Sequence, residues 1–266
     1  GKASEGYQKV CILAARNGLA AFCFDPVGQG ERYQTLRAPP LERHAAVPAA
    51  NKRLAAIQEL TPGLPPHYDP VQEHTLIGIG PILLGSNTAH YRVWDAMRCV
   101  DYLVSRSDVD PRRIGVTGNS GGGTEAAYLA ALDDRIAAAA PGCFLTSYRR
   151  LLQTSGPQDA EQNIHGQLRA GLDEADYVAL AAPRPVQILA ATRDATFDIT
   201  GTWELFREAK RFYAVVGRPE RVDLVEVDDV HGFTVHLREA AVRWMRRWLL
   251  GIDDPIVEPE LAVHAA

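Results

Sequence analysis

Short apolar runs alternate with stretches of helical periodicity along this chain of 266 residues. Nearly continuous apolar runs are typical of strands buried on both faces of a parallel sheet. They occupy residues 19–24, 114–118, 136–140, 185–191 and 222–227. Stretches whose apolar side chains recur at helical spacing lie at 4–17, 91–104, 121–132, 203–216 and 234–250. This alternation predicts an α/β fold, with a mostly parallel sheet and helices on both of its faces.

Two long stretches interrupt the alternation. Residues 31–88 hold eight of the 17 prolines and show no sustained period, and residues 143–182 are polar and only partly helical in pattern. Within the first stretch, residues 75–84 are apolar but interrupted by glycine and proline, so they cannot be assigned to a helix or a strand. The chain length fits one large domain. We therefore predict a single α/β domain at 1–251 with insertions at about 31–88 and 143–182, followed by a loose tail at 252–266.

The composition narrows the function classes. The net charge of −5 gives no basic surface field for binding nucleic acid. The sequence contains no run of about 18 apolar residues, so no membrane-spanning helix is predicted. The four cysteines, at 11, 23, 99 and 143, lack zinc-type spacing, so neither a metal nor a cofactor is predicted. The sequence as given carries no signal peptide, which leaves two compartments open: the cytoplasm, or an exported location if a signal precedes residue 1.

The motif with the clearest chemistry is G-x-S-x-G at residues 118–122, between a predicted strand and a predicted helix. A serine on such a sharp turn projects its hydroxyl above the sheet, which makes Ser120 a candidate nucleophile. The N–H of Gly121 would point to where an oxyanion forms, and the following helix N-terminus adds partial positive charge.

A serine nucleophile needs a base and an acid that orients the base. Asp194 follows the predicted strand 185–191, and His231 follows the predicted strand 222–227. Both would lie at the carboxyl ends of parallel strands, where ligands bind in open α/β sheets. His231 would accept the serine proton, and Asp194 would hold its imidazole. Asp198, in the same loop as Asp194, is the alternative acid.

These residues give the chain a family resemblance. The quoted stretches are D-x-x-G-Q-G at 25–30, D-P-R-R-I at 110–114 leading into the serine motif, G-P-Q-D-A-E-Q-N at 156–163 and A-T-R-D at 191–194. The chain resembles bacterial α/β-hydrolases of the acetyl xylan esterase and dienelactone-hydrolase-like serine esterase groups. The resemblance implies the α/β-hydrolase fold and no cofactor. It also implies a serine esterase acting on small acyl esters, including acetyl esters of carbohydrates.

Two positions depart from these groups. Dienelactone hydrolases have a cysteine nucleophile where this chain has Ser120, and carbohydrate acetyl esterases tend to have glutamine where it has Gly121. Two other functions remain open. One is a serine peptidase of the prolyl-oligopeptidase type, although the large β-rich gating domain of that group is absent from the sequence. The other is a non-catalytic α/β-hydrolase relative that serves as a binding protein.

The resemblance also raises an expectation about the start of the chain. The fold normally has about eight strands, whereas five are predicted here. The helix at 4–17 resembles the one that follows the third strand, so the first three strands and the second oxyanion donor would precede Gly1. The sheet would then have an unfilled position with exposed edges. We therefore expect a truncated chain, a rearrangement, or pairing with a partner, self-association included.

Overall fold

Four parallel strands form the sheet in the computed structural model, which describes residues 1–35, 70–154 and 158–264. They are β1 Ile114–Asn119, β2 Ile136–Gly142, β3 Val186–Ala191 and β4 Val222–Val227, and they lie in the order β1-β2-β3-β4. All three neighbouring pairs are parallel. Each strand overlaps a predicted apolar run, because strands covered on both faces are apolar at nearly every position. β3 is buried along its whole length.

Helices account for most of the remaining described chain. They are α1 Glu5–Arg16, α2 Pro70–Leu83, α3 Thr88–Ser105, α4 Gly121–Leu132, α5 Tyr148–Gln153, α6 Glu174–Ala181, α7 Ile199–Val215 and α8 Val235–Met245, which continues as a π-helical segment, Arg246–Leu250. None of these described helices is both long enough and apolar enough to cross a membrane.

The sheet separates two apolar clusters. Ala139 of β2 and Ile188 of β3 contribute to the cluster beneath α3, α4, α6 and α7. Their neighbours Ala138, Ala140 and Leu189 face the other way, into the cluster beneath α1 and α8. Successive strand residues point to opposite faces, so this division shows that helices cover both sides. The predicted α/β class is confirmed.

The strand predicted at residues 19–24 is wrong, because this segment joins none of the four strands. Phe22 is 47% exposed and its ring lies 5.6 Å from that of Tyr102 on α3. A cavity of about 470 Å³, lined in part by Phe24 and Cys99, lies between the segment and α3. An apolar run indicates a preference for burial but not the presence of a pairing partner, and the described residues supply no strand beyond the four.

The end of the first predicted insertion is regular. Within 31–88, where no element was predicted, α2 forms despite its glycines and despite Pro81 near its end. Gly78 permits a close contact, since a Cβ there would lie 2.7 Å from the Cβ of Ala160. The irregularity expected at 31–88 is therefore wrong for its last part, while residues 36–69 lie outside the described chain.

The tail is packed instead of loose, which corrects the prediction for residues 252–264. Ile256 and Leu261 are buried in the cluster beneath α1 and α8. Glu258 accepts a 2.6 Å hydrogen bond from Nε of Arg238, and both side chains are buried. Two apolar residues among mainly polar ones show no clear periodicity, so no sequence pattern predicted that the tail packs on the domain.

Candidate functional site

Ser120 occupies the sharp turn between β1 and α4 that its motif predicts. Its backbone has φ 57° and ψ −123°, a strained conformation for a residue with a side chain, and it is the N-cap residue of α4. Gly118 and Gly123 let the turn close, because a Cβ on either would overlap a backbone carbonyl, that of Gly122 or Gly142 respectively. The turn thus presents the Ser120 side chain at the carboxyl edge of the sheet.

Gly121 is the first residue of α4. The first intrahelical bond runs from the N–H of Thr124 to the carbonyl of Ser120, at 2.9 Å. The N–H groups before Thr124 have no intrahelical acceptor, and they carry the positive end of the helix dipole. The Gly121 N–H is therefore free of an intrahelical acceptor at the positive end of the helix, directly after Ser120.

Asp194 and His231 lie in the loops after β3 and β4 and contact each other. His231 Nδ1 is 2.7 Å from Asp194 Oδ2. The other carboxylate oxygen, Oδ1, accepts hydrogen bonds from the backbone N–H groups of Thr196 at 2.8 Å and Phe197 at 3.0 Å. The Asp194 side chain is only 1% exposed, whereas that of His231 is 33% exposed. The imidazole is thus held from its buried side and remains open on the other.

Asp198 has a different environment. Its Oδ1 accepts from Nε of Arg150 at 2.8 Å and from the N–H of Thr200 at 3.0 Å, which makes it the N-cap of α7. The Arg150 guanidinium and the cap bonds hold the pKa of Asp198 below its usual value. The acid in contact with His231 is Asp194.

Contacts of Asn119 link the serine turn to the loop that carries His231. Exchanging the amide oxygen and nitrogen of Asn119 gives both atoms a partner. In that orientation the side chain donates to the Gly232 carbonyl at 3.2 Å and accepts from the Ser120 N–H at 3.3 Å. The hydroxyl of Tyr7 on α1 donates to the Asn119 carbonyl at 2.8 Å. Among the hydrogen bonds of the described chain, none joins Ser120 Oγ directly to His231. Catalytic hydrogen bonds are often long in unliganded sites and tighten around substrate.

A buried charged cluster packs behind the serine turn. Arg92 on α3 donates to Glu161 at 2.7 Å, and each side chain is 1% exposed. A Cβ placed on Gly121 would lie 3.4 Å from Glu161 Oε1. His74, also buried, is 2.9 Å from Asp159. Sequence reasoning did not single out Arg92 or Glu161, and the only signal was the 156–163 stretch quoted for the family resemblance.

Two groups of three side chains in the described chain place donor atoms within 4.8 Å of one another, as a metal would require. One is His74, Asp159 and Glu161, where Glu161 already pairs with the Arg92 cation. The other is Cys143 with Asp194 and His231. Burial raises the pKa of the Cys143 thiol to about 12, so Cys143 is a protonated thiol and a poor nucleophile.

Comparison with known proteins places this geometry in a family context. Residues 79–178 match the family model for acetyl xylan esterase, AXE1, a range that includes Ser120 and ends before Asp194. A Bacillus subtilis protein, YtaP, named as a hydrolase, is 32% identical over 165 residues, which are 59% of this chain and 53% of the relative. The chain thus spans about half the length of that relative.

Solved structures with the same fold are more distant in sequence. Methylesterase BT1017 superposes with a TM-score of 0.61 and 24% identity, covering 93% of this chain and 45% of that protein. A family 15 glucuronoyl esterase from Caldicellulosiruptor kristjansonii has a TM-score of 0.55 and 20% identity, covering 67% and 55%. The chain therefore has the α/β-hydrolase fold, and the resemblance to acetyl xylan esterases drawn from its motifs is confirmed over residues 79–178.

Proposed function

We propose that this protein is a serine carboxylic-ester hydrolase that works through an acyl-enzyme. The observation that carries the proposal is the placement of Ser120 on a strained strand-to-helix turn, beside the loop in which His231 contacts Asp194 at 2.7 Å. A solvent-accessible imidazole with a buried carboxylate on its far side is the arrangement that activates a serine hydroxyl.

The reaction begins when Ser120 Oγ attacks the ester carbonyl carbon while His231 Nε2 takes the hydroxyl proton. Asp194 stabilises the resulting imidazolium through Nδ1 and is itself kept in place by the N–H groups of Thr196 and Phe197. The negative charge on the former carbonyl oxygen is stabilised by the Gly121 N–H and the α4 dipole. His231 then returns the proton to the leaving alcohol, which departs and leaves an acyl-serine ester.

The second half repeats these steps with water. His231 removes a proton from a water molecule, whose oxygen attacks the acyl carbon of the Ser120 ester. The tetrahedral intermediate then collapses, the proton returns to Ser120 Oγ, and the carboxylic acid leaves. Every proton removed by His231 is returned, so the net reaction is ester plus water to acid plus alcohol.

The proposed substrates are acetyl esters of carbohydrates or other small acyl esters. The match of residues 79–178 to acetyl xylan esterase supports this substrate class. Two of the structures with this fold are also named as esterases, of methyl and glucuronoyl esters.

The test compares turnover of p-nitrophenyl acetate, p-nitrophenyl butyrate and acetylated xylan by the wild type and by Ser120→Ala. We expect turnover in the wild type and none above background in the variant. Asp194→Asn and Asp198→Asn form a matched pair in one loop. Loss of the acid that orients the histidine lowers kcat on the order of 10⁴-fold, so we expect this for Asp194→Asn and a change of a few-fold at most for Asp198→Asn.

Serine-independent turnover would disprove the mechanism, and a larger loss in Asp198→Asn than in Asp194→Asn would disprove the assignment of the acid. A folded wild type that binds acetylated xylan without hydrolysing it would instead favour a binding protein. Hydrolysis of a peptide p-nitroanilide faster than any of the esters would favour a peptidase.

A further inference from the structure

Cys143 lies directly beneath the proposed catalytic pair. It follows β2, is 2% exposed, and has a φ of 46°, in the left-handed region that residues with a Cβ seldom adopt. Its sulfur lies 3.7 Å from the carbonyl oxygen of Gly232, the residue after His231. The thiol is therefore held between the loop of the base and the loop of the acid.

The Cys143 sulfur, a carboxylate oxygen of Asp194 and a ring nitrogen of His231 all lie within 4.8 Å of one another. Nδ1 is the ring nitrogen that contacts Asp194, at 2.7 Å. A tetrahedral zinc ion, with bonds of about 2.0–2.3 Å, needs its ligands roughly 3.3–3.8 Å apart. Small side-chain rotations would therefore bring all three donors onto one ion.

The chemistry of this donor set selects the kind of ion. Thiolate with imidazole and carboxylate suits borderline-soft divalent ions such as Zn²⁺ and Cd²⁺ and does not suit Mg²⁺ or Ca²⁺, which prefer oxygen ligands alone. The other three-residue group, at His74, suits such an ion less well, because the Arg92 guanidinium already neutralises Glu161 there and would repel a second cation.

We propose that Cys143, Asp194 and His231 form an inhibitory binding site for a thiophilic divalent ion, Zn²⁺ or Cd²⁺. Binding forms bonds from the ion to the sulfur, the carboxylate oxygen and Nδ1, with water as the fourth ligand. It releases the thiol proton of Cys143, and the His231 proton moves from Nδ1 to Nε2, so that the ring binds the ion as a neutral imidazole. The effect on turnover rests on the proposed esterase function, because an ion in this position replaces the Asp194–His231 hydrogen bond and leaves Nε2 protonated, so that Nε2 cannot accept the Ser120 proton.

Metal binding is tested without turnover, in the Ser120→Ala protein. Titration with Cd²⁺ is followed by the cadmium–thiolate absorption in the ultraviolet. We expect one Cd²⁺ bound with thiolate absorption that is lost in Ser120→Ala/Cys143→Ser and in Ser120→Ala/Cys143→Ala. It should be retained in Ser120→Ala/Cys99→Ser, the matched control. Ser120→Ala/His231→Asn should bind at least tenfold more weakly, because it lacks one ligand.

Inhibition is tested in the active protein. We expect Zn²⁺ to abolish p-nitrophenyl acetate turnover reversibly, with activity restored by EDTA. In Cys143→Ser, the Zn²⁺ concentration for half-inhibition, measured against that variant's own metal-free rate, should rise at least tenfold. Cys99→Ser should respond as the wild type does. Circular dichroism checks that each variant is folded.

Two results would overturn the proposal: no difference in cadmium–thiolate absorption between the Cys143 variants and their parent, or half-inhibition of Cys143→Ser at the wild-type Zn²⁺ concentration. The two tests also separate this proposal from the proposed function. If no ester is hydrolysed but Cd²⁺ binds through Cys143 and His231, the metal site stands and the esterase proposal fails.

Discussion

The ion pair between Arg92 and Glu161 offers a sharp test of how the serine turn is supported. Both side chains are 1% exposed and their nearest atoms are 2.7 Å apart. Glu161→Gln removes the negative charge at nearly constant volume and leaves the guanidinium buried. Breaking a buried pair by removing one partner typically costs about 3–5 kcal/mol, because the remaining charge is uncompensated. Arg92 keeps a 3.3 Å hydrogen bond to the Val27 carbonyl, so we expect the lower end, about 3 kcal/mol.

The assay is urea unfolding followed by circular dichroism, with the free energy of unfolding obtained from the midpoint and the slope. Asp253→Asn is the matched control, since Asp253 pairs with Arg243 and the two side chains are 44% and 48% exposed. Exposed pairs contribute about 0–1 kcal/mol, so the control should differ from the wild type by less than that. Replacing both buried partners, as Arg92→Met/Glu161→Met, should recover most of the loss.

The reasoning is refuted if Glu161→Gln costs no more than the control, or if the double methionine variant is less stable than Glu161→Gln. Catalytic activity provides a second test of the Arg92–Glu161 ion pair. Because Glu161 Oε1 and Arg92 Nη1 would lie 3.4 and 3.6 Å from a Cβ on Gly121, loss of the pair should loosen the first turn of α4. We expect kcat to fall in Glu161→Gln and to stay unchanged in Asp253→Asn.

Three further perturbations have defined outcomes. Burial raises the pKa of Glu125 from 4.5 to about 8, so the folded chain keeps a proton that the unfolded chain releases, and stability falls as the pH rises from about 4.5 to about 8. This loss of stability amounts to about 3–5 kcal/mol in total, and Glu125→Gln should remove it. If the urea midpoint shifts equally between pH 5 and pH 8 in the wild type and in Glu125→Gln, the prediction is contradicted. Gly123→Ala should lower the free energy of unfolding by at least about 3 kcal/mol, because the new Cβ would overlap the last carbonyl of β2. Gly80→Ala is the control: Gly80 has open space around it, so this variant should be as stable as the wild type or more stable in thermal unfolding. Tyr7→Phe should lower the free energy of unfolding by about 1–3 kcal/mol and lower kcat, because the backbone N–H and carbonyl of Asn119 lose their hydrogen-bond partner. An unchanged melting temperature would show that the Tyr7 hydroxyl does not support the turn.

The fold was predictable wherever the deciding interactions are local. β3 and β4 were predicted to within one residue, since a strand covered on both faces is apolar throughout. The segment 19–24 has the same apolar character but pairs with no strand among the described residues, and pairing depends on residues distant in sequence. α2 was missed because the glycines and proline that argue against a helix are tolerated where Gly78 packs tightly on Ala160.

In the candidate site, too, local features could be predicted from the sequence and contacts between distant residues could not. The G-x-S-x-G motif lies within one turn of chain, so its strand-to-helix context could be predicted. The sequence favours Asp194 over Asp198 as the acid because Asp194 is nearer the strand end. The N-cap role of Asp198 was missed because the helix begins at Ile199, four residues before its predicted start at 203. The Arg92–Glu161 pair joins side chains 69 residues apart in sequence. A single charge on an amphipathic helix is normally solvated, so no local pattern indicated that either residue is buried.

α1 does more than cover one face of the sheet, because one of its side chains contacts both halves of the candidate site. The Tyr7 hydroxyl bonds to the carbonyl of Asn119 at 2.8 Å and accepts from its N–H at 3.2 Å, directly before Ser120. The Tyr7 ring packs edge-on against Phe233, two residues after His231, with centroids 6.0 Å apart. Ser120 and His231, the proposed nucleophile and base, come from different strand ends with no direct hydrogen bond between them among the described contacts, so their separation depends on such shared supports. A shift of α1 would therefore move the serine turn and the histidine loop together, which explains why a helix distant from the reacting atoms should influence kcat.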